Sequence, residues 1–332
     1  MRNALRNLPF LFIIAALLAY PLISTGIVNA AGPKANNLVM TSPTDCPATG
    51  CAAGQRLNFR AEFDLAPQYS GGPNTQFCAY APAPDWAGSF SINLTGLISG
   101  TAYTNGETTG VCSANLPAGY AFIGGGYASL PLGAFADQLS FVTRINPTAI
   151  SSGAVVVRLF QVTADGNTWI QSAQLLRNIP VAPITSSVYV ANDALTCESY
   201  SPCFINSADD LPDGLGTGLK DAIDAQSSPT TITLLGNYTI KSNTVLLNQA
   251  HTLQGLSDSS LTYSGSLCSQ PMLRITSGAT VQNLNINGGT CAATRRDLLV
   301  LESDTPVNIV SNDLTQGKDA LRMTALHNAY IT

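Results

Sequence analysis

Charge is the scarcest property of this sequence. Lys and Arg number 15 and Asp and Glu 20 in 332 residues, so 11% of the chain is charged, against about 25% in an average soluble protein. A polar surface must then come from Ser, Thr, Asn and Gln, as in many extracellular β proteins. The net charge of −5 argues against a nucleic-acid partner, because a phosphate-binding surface needs clustered Lys and Arg. Past the first thirty residues the only adjacent basic pair is Arg295-Arg296. Histidine is nearly absent, with only His251 and His327, and no Cys-x-x-Cys pair occurs, which argues against zinc. No apolar run after residue 30 is long enough to span a bilayer, so no transmembrane segment is expected once the leader is removed. No sorting signal or translocator segment is present either.

The leader is residues 1–30, a signal peptide. Arg2 and Arg6 give its basic start, Leu8 to Leu18 its apolar centre, and Val28-Asn29-Ala30 a small-residue cleavage site. An uncleaved anchor helix is the alternative, but Pro21 and Ser24-Thr25-Gly26 interrupt that run. A secreted or cell-surface location follows, and export makes the cysteines a disulfide question. They fall in four local couples: Cys46 with Cys51, Cys78 with Cys112, Cys197 with Cys203, and Cys268 with Cys291. Spacing leaves their pairing open, with one couple better supported by the repeat described below.

Residues 38–182 read as a β-sandwich domain of immunoglobulin-like type. Leu57, Phe59, Ala61, Phe63 and Leu65 alternate with polar residues over nine positions, the mark of a half-buried strand. Phe90 to Leu94 and Leu139 to Ile145 alternate in the same way. Val155 to Val162 and Thr168 to Leu176 flank Ala164-Asp165-Gly166-Asn167, a hairpin signal. Many short strands with Gly- and Pro-rich turns, and no sustained helical period, define the class.

Residues 183–230 form a junction. Pro183 ends one strand, Val188-Tyr189-Val190 begins another, and Cys197 to Cys203 closes a tight loop. Leu219, Ala222 and Ile223 make a short apolar stripe at helical spacing. A helix there is placed to cap the first coil of a solenoid, whose core is otherwise open; a surface linker helix is the alternative.

From Thr231 to Thr332 the chain repeats itself. Leu273, Leu299 and Leu321 align, as do Ile275, Leu301 and Met323, at steps of 26 and 22 residues; Ile286 and Leu314 repeat at 28. Short alternating strands at such a period are the signature of a solenoid. Its neighbouring strands lie about 4.8 Å apart, within reach of a disulfide. Cys268 and Cys291, 23 residues apart, are therefore expected to staple consecutive coils. Ala329 to Thr332 stop part-way through a strand, so the solenoid is expected to be incomplete and the chain a fragment. The repeats (Thr280 to Gly289, Asp297 to Leu301, Val307 to Gly317, Asp319 to Met323) resemble the right-handed parallel β-helix of the pectate-lyase-like superfamily. The fold class expected is all-β: an N-terminal Ig-like sandwich, a short cap helix, and an incomplete right-handed parallel β-helix.

That superfamily holds polysaccharide lyases and hydrolases, and surface proteins without known chemistry. In its lyases, calcium carboxylates and a catalytic arginine share one face of the helix. The residues here at comparable places are Asp297, Asp319, Lys318 and Arg322, with Arg296 nearby; Asp297 and Asp319 are the Ca²⁺ candidates. The preferred reading of the same residues is the polar corner at which each coil enters its strand, with Lys318 and Arg322 relieving repulsion between the aspartates. No lyase motif is present residue by residue, so no catalytic residue is assigned. His251 and His327 lie outside any nucleophile motif and read as polar turn residues. Asn283, Asn285 and Asn287 read as an axial amide stack. Trp86, in a Pro-rich loop, is a candidate for stacking on a sugar ring, and Trp169 for core packing. Asn93-Leu94-Thr95 and Asn237-Tyr238-Thr239 match the N-glycosylation pattern. The function expected is a non-catalytic secreted or surface protein presenting its solenoid for adhesion or for binding a polysaccharide or cell-surface glycan. The alternative is a polysaccharide lyase or glycoside hydrolase with its site on the solenoid or in coils beyond Thr332.

Overall fold

A computed structural model describes residues 35–83, 94–98, 101–206, 218–240, 244–265, 268–289, 297–324 and 329–332. The leader, Trp86, Asn93, Cys291, Arg296 and His327 lie outside the described residues. The protein is all-β in class, with two large cores.

The first core is built by β1 (Ala35–Ser42), β2 (Cys51–Ala52), β3 (Arg56–Leu65), β4 (Thr75–Pro82), β5 (Thr104–Asn105), α1 (Val111–Ala114), β6 (Tyr120–Ala128), β7 (Phe135–Arg144), β8 (Gly153–Val162), β9 (Trp169–Ile179) and β10 (Val181–Ala182). Two antiparallel sheets form, in the orders β1-β3-β7 and β5-β6-β4-β8-β9, beside a small parallel pair of β2 and β10. The alternation in β3 does what its period requires: Leu57, Phe59, Ala61, Phe63 and Leu65 are buried, and Arg60, Glu62 and Asp64 are partly exposed. Across the gap, Phe77 of the five-stranded sheet meets Phe63 and Phe141 of the other, with ring centroids 6.2 and 5.5 Å apart. The 153–179 hairpin closes at Gly166, whose φ of 78° suits a residue without Cβ. A second, smaller cluster lies under α1, where Tyr80, Val156 and Phe160 surround the Cys78–Cys112 disulfide. Cys46–Cys51 and Cys197–Cys203 are also bonded. Cys268 is disulfide-bonded as well.

The second core is built by β11 (Ser187–Ala191), α2 (Ala194–Cys197), β12 (Cys203–Ile205), α3 (Gly218–Asp224), β13 (Thr231–Leu234), β14 (Asn237–Ile240), β15 (Val245–Leu247), β16 (Thr252–Gly255), β17 (Ser260–Tyr263), β18 (Leu273–Ile275), β19 (Thr280–Gln282), β20 (Asn285–Asn287), β21 (Leu299–Leu301), β22 (Val307–Val310), β23 (Asp313–Thr315), β24 (Leu321–Met323) and β25 (Ala329–Ile331). These form three parallel sheets: β12-β11-β13-β16-β19-β22-β25, β14-β17-β20-β23 and β15-β18-β21-β24. From β13 onward the chain visits the three in turn, each strand pairing with its counterpart one coil earlier. Val245, Leu273, Leu299 and Leu321 align in one column, and Leu247, Ile275, Leu301 and Met323 in a second; both are buried except at the last coil, where Leu321 is partly buried and Met323 is exposed. The bends between the first and second sheets are sharp. Asn283 and Ser311, at matching places 28 residues apart, take φ of 56° and 53° there.

Two readings change. Parallel pairing starts before Thr231, because β11 and β12 already belong to the first sheet. The amide stack does not run through Asn283, Asn285 and Asn287. Asn285 is exposed, and the Asn287 Oδ1 accepts locally from the Gly289 N–H at 2.7 Å. The axial ladder lies on the first sheet, where Gln282 Nε2 donates to Gln254 Oε1 (3.0 Å) and Gln254 Nε2 to Thr233 Oγ1 (3.1 Å). Asparagine also links coils, but at the next bend, where Asn312 Nδ2 donates to the Val281 carbonyl at 2.8 Å.

Helix α3 covers the first coil with Leu219, Ala222 and Ile223, all buried against β11, β12 and β15. The stretch 52–56 of the first body meets it. Asp221, 1% exposed, accepts the Arg56 N–H on Oδ2 at 2.9 Å, and its Oδ1 lies 3.3 Å from Arg56 Nε. Arg144 Nη2 approaches the Asp221 carbonyl at 3.5 Å. Gly54 has no room for a side chain: a Cβ would fall 2.5 Å from that of Ala225. The two cores are thus joined by a buried ion pair and close backbone packing, which fixes the sheets that carry the surface described next.

Candidate functional site: a cleft on the third sheet

The outward residues of the third sheet are the middle members of its triplets. In register they run Leu246, Arg274, Val300, Arg322, one from each coil. Strand geometry forces this arrangement, since the inward leucines on either side send the middle residue to the opposite face. Over this column lies a cleft of about 510 Å³, which Thr244, Gln270, Pro271 and Glu302 complete.

The cleft's charges are paired. Arg274 Nη2 and Nε both reach Glu302 Oε2, at 2.5 Å. Arg322 Nη1 lies 3.3 Å from Asp297 Oδ2. Each arginine is about half exposed (51% and 47%), while Glu302 and Asp297 are more covered at 26% and 11%. The carboxylates therefore sit beneath and the guanidinium groups face outward. Val300, 1% exposed, is the floor between the arginines, and Leu246 lies half-open at one end. At the Gln270 end, Thr244 Oγ1 contacts Gln270 Oε1 at 3.3 Å and donates to the Pro271 carbonyl at 2.7 Å. The cleft offers planar hydrogen-bonding groups over an aliphatic base.

Of the residues singled out from the sequence, the structure joins Arg322 and Asp297 and places Arg322 in the cleft. Asp319 and Lys318 are exposed on the following coil; the Asp319 backbone carbonyl accepts the Leu298 N–H. Of the two basic residues read as neighbours of these aspartates, Arg322 pairs with Asp297. The calcium candidate does not fit the residues present. Arg322 occupies the accessible oxygen of Asp297, and among the described residues no three His, Cys, Asp or Glu side chains converge, where calcium takes six to eight oxygen ligands. Trp86 lies outside the described residues. Trp169 is partly buried against the cluster under α1. His251 lies in the connection between β15 and β16 and is fully buried there; its Nδ1 accepts the Thr230 N–H at 3.2 Å. Burial holds its pKa below the usual histidine value.

Sequence reasoning missed Arg274, Glu302, Gln270 and Thr244. The signal for Arg274 was present, since Leu273-Arg274-Ile275 and Leu321-Arg322-Met323 are the same triplet. Glu302 gave no signal because the residues at its place in the neighbouring coils, Thr276 and Thr324, carry no charge.

No family model matches this sequence, and no curated protein matches it. Solved structures with partial likeness include AvmM, which catalyses macrocyclisation in alchivemycin A biosynthesis (TM-score 0.27, 10% identity, 46% of this chain and 93% of that one). Another is the full-length major pilin SpaD from Corynebacterium diphtheriae (0.26, 7%, 44% and 34%). A third is the collagen-binding domain of a Staphylococcus aureus adhesin (0.21, 10%, 43% and 96%). At these scores the likenesses assign neither fold family nor function to this chain.

Proposed function

We propose that this chain is a secreted or cell-surface, non-catalytic protein in which an Ig-like sandwich carries a right-handed parallel β-helix, and that the cleft on its third sheet binds glycans. The observation that carries this reading is the cleft itself. Arg274, Glu302, Gln270 and Arg322 supply planar donors and acceptors, which suit the paired hydroxyls of a sugar ring, and Leu246 supplies aliphatic surface for its C–H faces. Export fits the three local disulfides and the leader-like first thirty residues. In favour of binding over turnover, both carboxylates at the cleft are held by arginines, whereas glycoside hydrolysis needs one as acid and the other as base or nucleophile.

A glycan array probed with the full chain tests the reading. Binding should appear and be lost in the Arg274→Ala/Arg322→Ala double variant with the far-ultraviolet circular dichroism unchanged. Failure to bind any glycan would overturn it. The lyase reading is tested by incubation with polygalacturonate and Ca²⁺. Unsaturated products that disappear in the Asp319→Ala/Arg322→Ala variant would replace binding with catalysis.

A further inference from the structure

Resting on the glycan-binding reading of the cleft, we infer that its ligand is a neutral chain with a two-sugar repeat, laid along the stacking direction of the coils. Two independent observations lead there, one of charge and one of period.

The charge argument starts from the pairs. Arg274 is neutralised by Glu302 and Arg322 by Asp297, so the four charges at the cleft cancel. An acidic chain entering there would bring its carboxylates towards Glu302 and Asp297, which repel them. It would also approach a protein of net charge −5. A neutral sugar meets neither penalty. Guanidinium groups fixed by their carboxylates keep outward N–H groups free to donate to hydroxyls, and Gln270 and Thr244 add uncharged polar atoms at one end.

The period argument comes from the column. Its order is Leu246, Arg274, Val300, Arg322, so the two exposed arginines stand two rungs apart with Val300 buried between them. Neighbouring rungs are about 4.8 Å apart, and one ring of an extended β-1,4-linked chain advances by close to one rung. Such a chain turns each sugar over relative to the last, so it presents the same edge at every second ring. The cleft likewise presents the same side-chain type at every second rung. A chain with a threefold screw, as in an α-1,4-linked galacturonan, falls out of step after two rungs.

Titration calorimetry of the full-length chain tests this with four hexasaccharides: β-1,4-linked glucose, β-1,4-linked N-acetylglucosamine, α-1,4-linked glucose and α-1,4-linked galacturonate. At least one β-linked neutral chain should bind tenfold or more tightly than both α-linked ones. Affinity should rise from the disaccharide to the tetrasaccharide and then level, because the column has four rungs. Glu302→Gln leaves Arg274 unneutralised and should raise galacturonate affinity severalfold. Equal or tighter binding of galacturonate by the unaltered protein overturns the charge argument, and equal binding of α-linked glucose overturns the period argument; in both cases the cleft remains a glycan site. Binding that survives Arg274→Ala and Arg322→Ala together places the ligand elsewhere and removes both inferences, as does the failure of every glycan to bind.

Discussion

The Gln55 carboxamide exchanges two hydrogen bonds with the backbone of Ile205, 150 residues further along the chain: Nε2 donates to the Ile205 carbonyl at 3.0 Å and Oε1 accepts its N–H at 2.7 Å. Ile205 ends β12, the edge strand of the seven-stranded sheet. One side chain thus stands where the next strand's backbone would be, at the edge where unpaired groups invite association.

Gln55→Leu should therefore destabilise the protein by about 1–3 kcal/mol, the usual cost of leaving buried polar groups unpaired. Urea denaturation followed by circular dichroism measures it. No change in midpoint would show that water replaces the side chain without loss.

Asp221 makes the junction sensitive to pH. Burial pushes its carboxyl up to about 7, against the opposing pull of Arg144 and Arg56. The group binds its proton more readily folded than unfolded. Its contribution to stability is therefore complete below the ordinary carboxylate value of about 4 and is lost as pH rises through about 7. Asp221→Asn keeps an acceptor for the Arg56 N–H without the titration. The difference in melting temperature between pH 4.5 and pH 8 should be smaller in the variant; an identical pH profile would show that Asp221 is ionised throughout.

How much of this was legible in the sequence depends on distance along the chain. The inward columns were readable because Leu273, Leu299 and Leu321 repeat with their neighbours, and the pairings observed are those the leucines imply. Spacing left the cysteine pairing open, and three of the four couples suggested by proximity are the bonds observed. Arg274 and Glu302 are 28 residues apart and meet only because one coil stacks on the next. Asp221 was hidden for a related reason. It lies within an apolar helical stripe, and its partner Arg56 lies 165 residues earlier. The early start of parallel pairing was masked by the two helices between β11 and β13. Pattern finds what recurs or lies close; it does not find a contact made once across a long loop.

The leucine column offers a graded test. Leu299 is fully buried between two coils, whereas Leu321 is only partly buried. Leu299→Ala should cost about 2–5 kcal/mol, as for other buried leucines, and Leu321→Ala distinctly less. Comparable losses in thermal unfolding would contradict the stacking order.

Loop length ranks the disulfides. Cys78 and Cys112 close 34 residues, and Cys197 and Cys203 close 6. On the chain-entropy account, removing the first should cost about 4 kcal/mol and the second about 2. Paired Cys→Ala variants compared in guanidinium would show the order, and a reversed order would point to packing under α1 or α2 instead.

A surface assembled one rung per turn can be extended only in whole turns. Because each added coil would bring its own inward residues and its own middle residue, lengthening the stack would, on the proposed reading, add a binding position without rebuilding those already present. Reach along a polymer thereby becomes countable, and a duplicated turn would change it by a fixed increment.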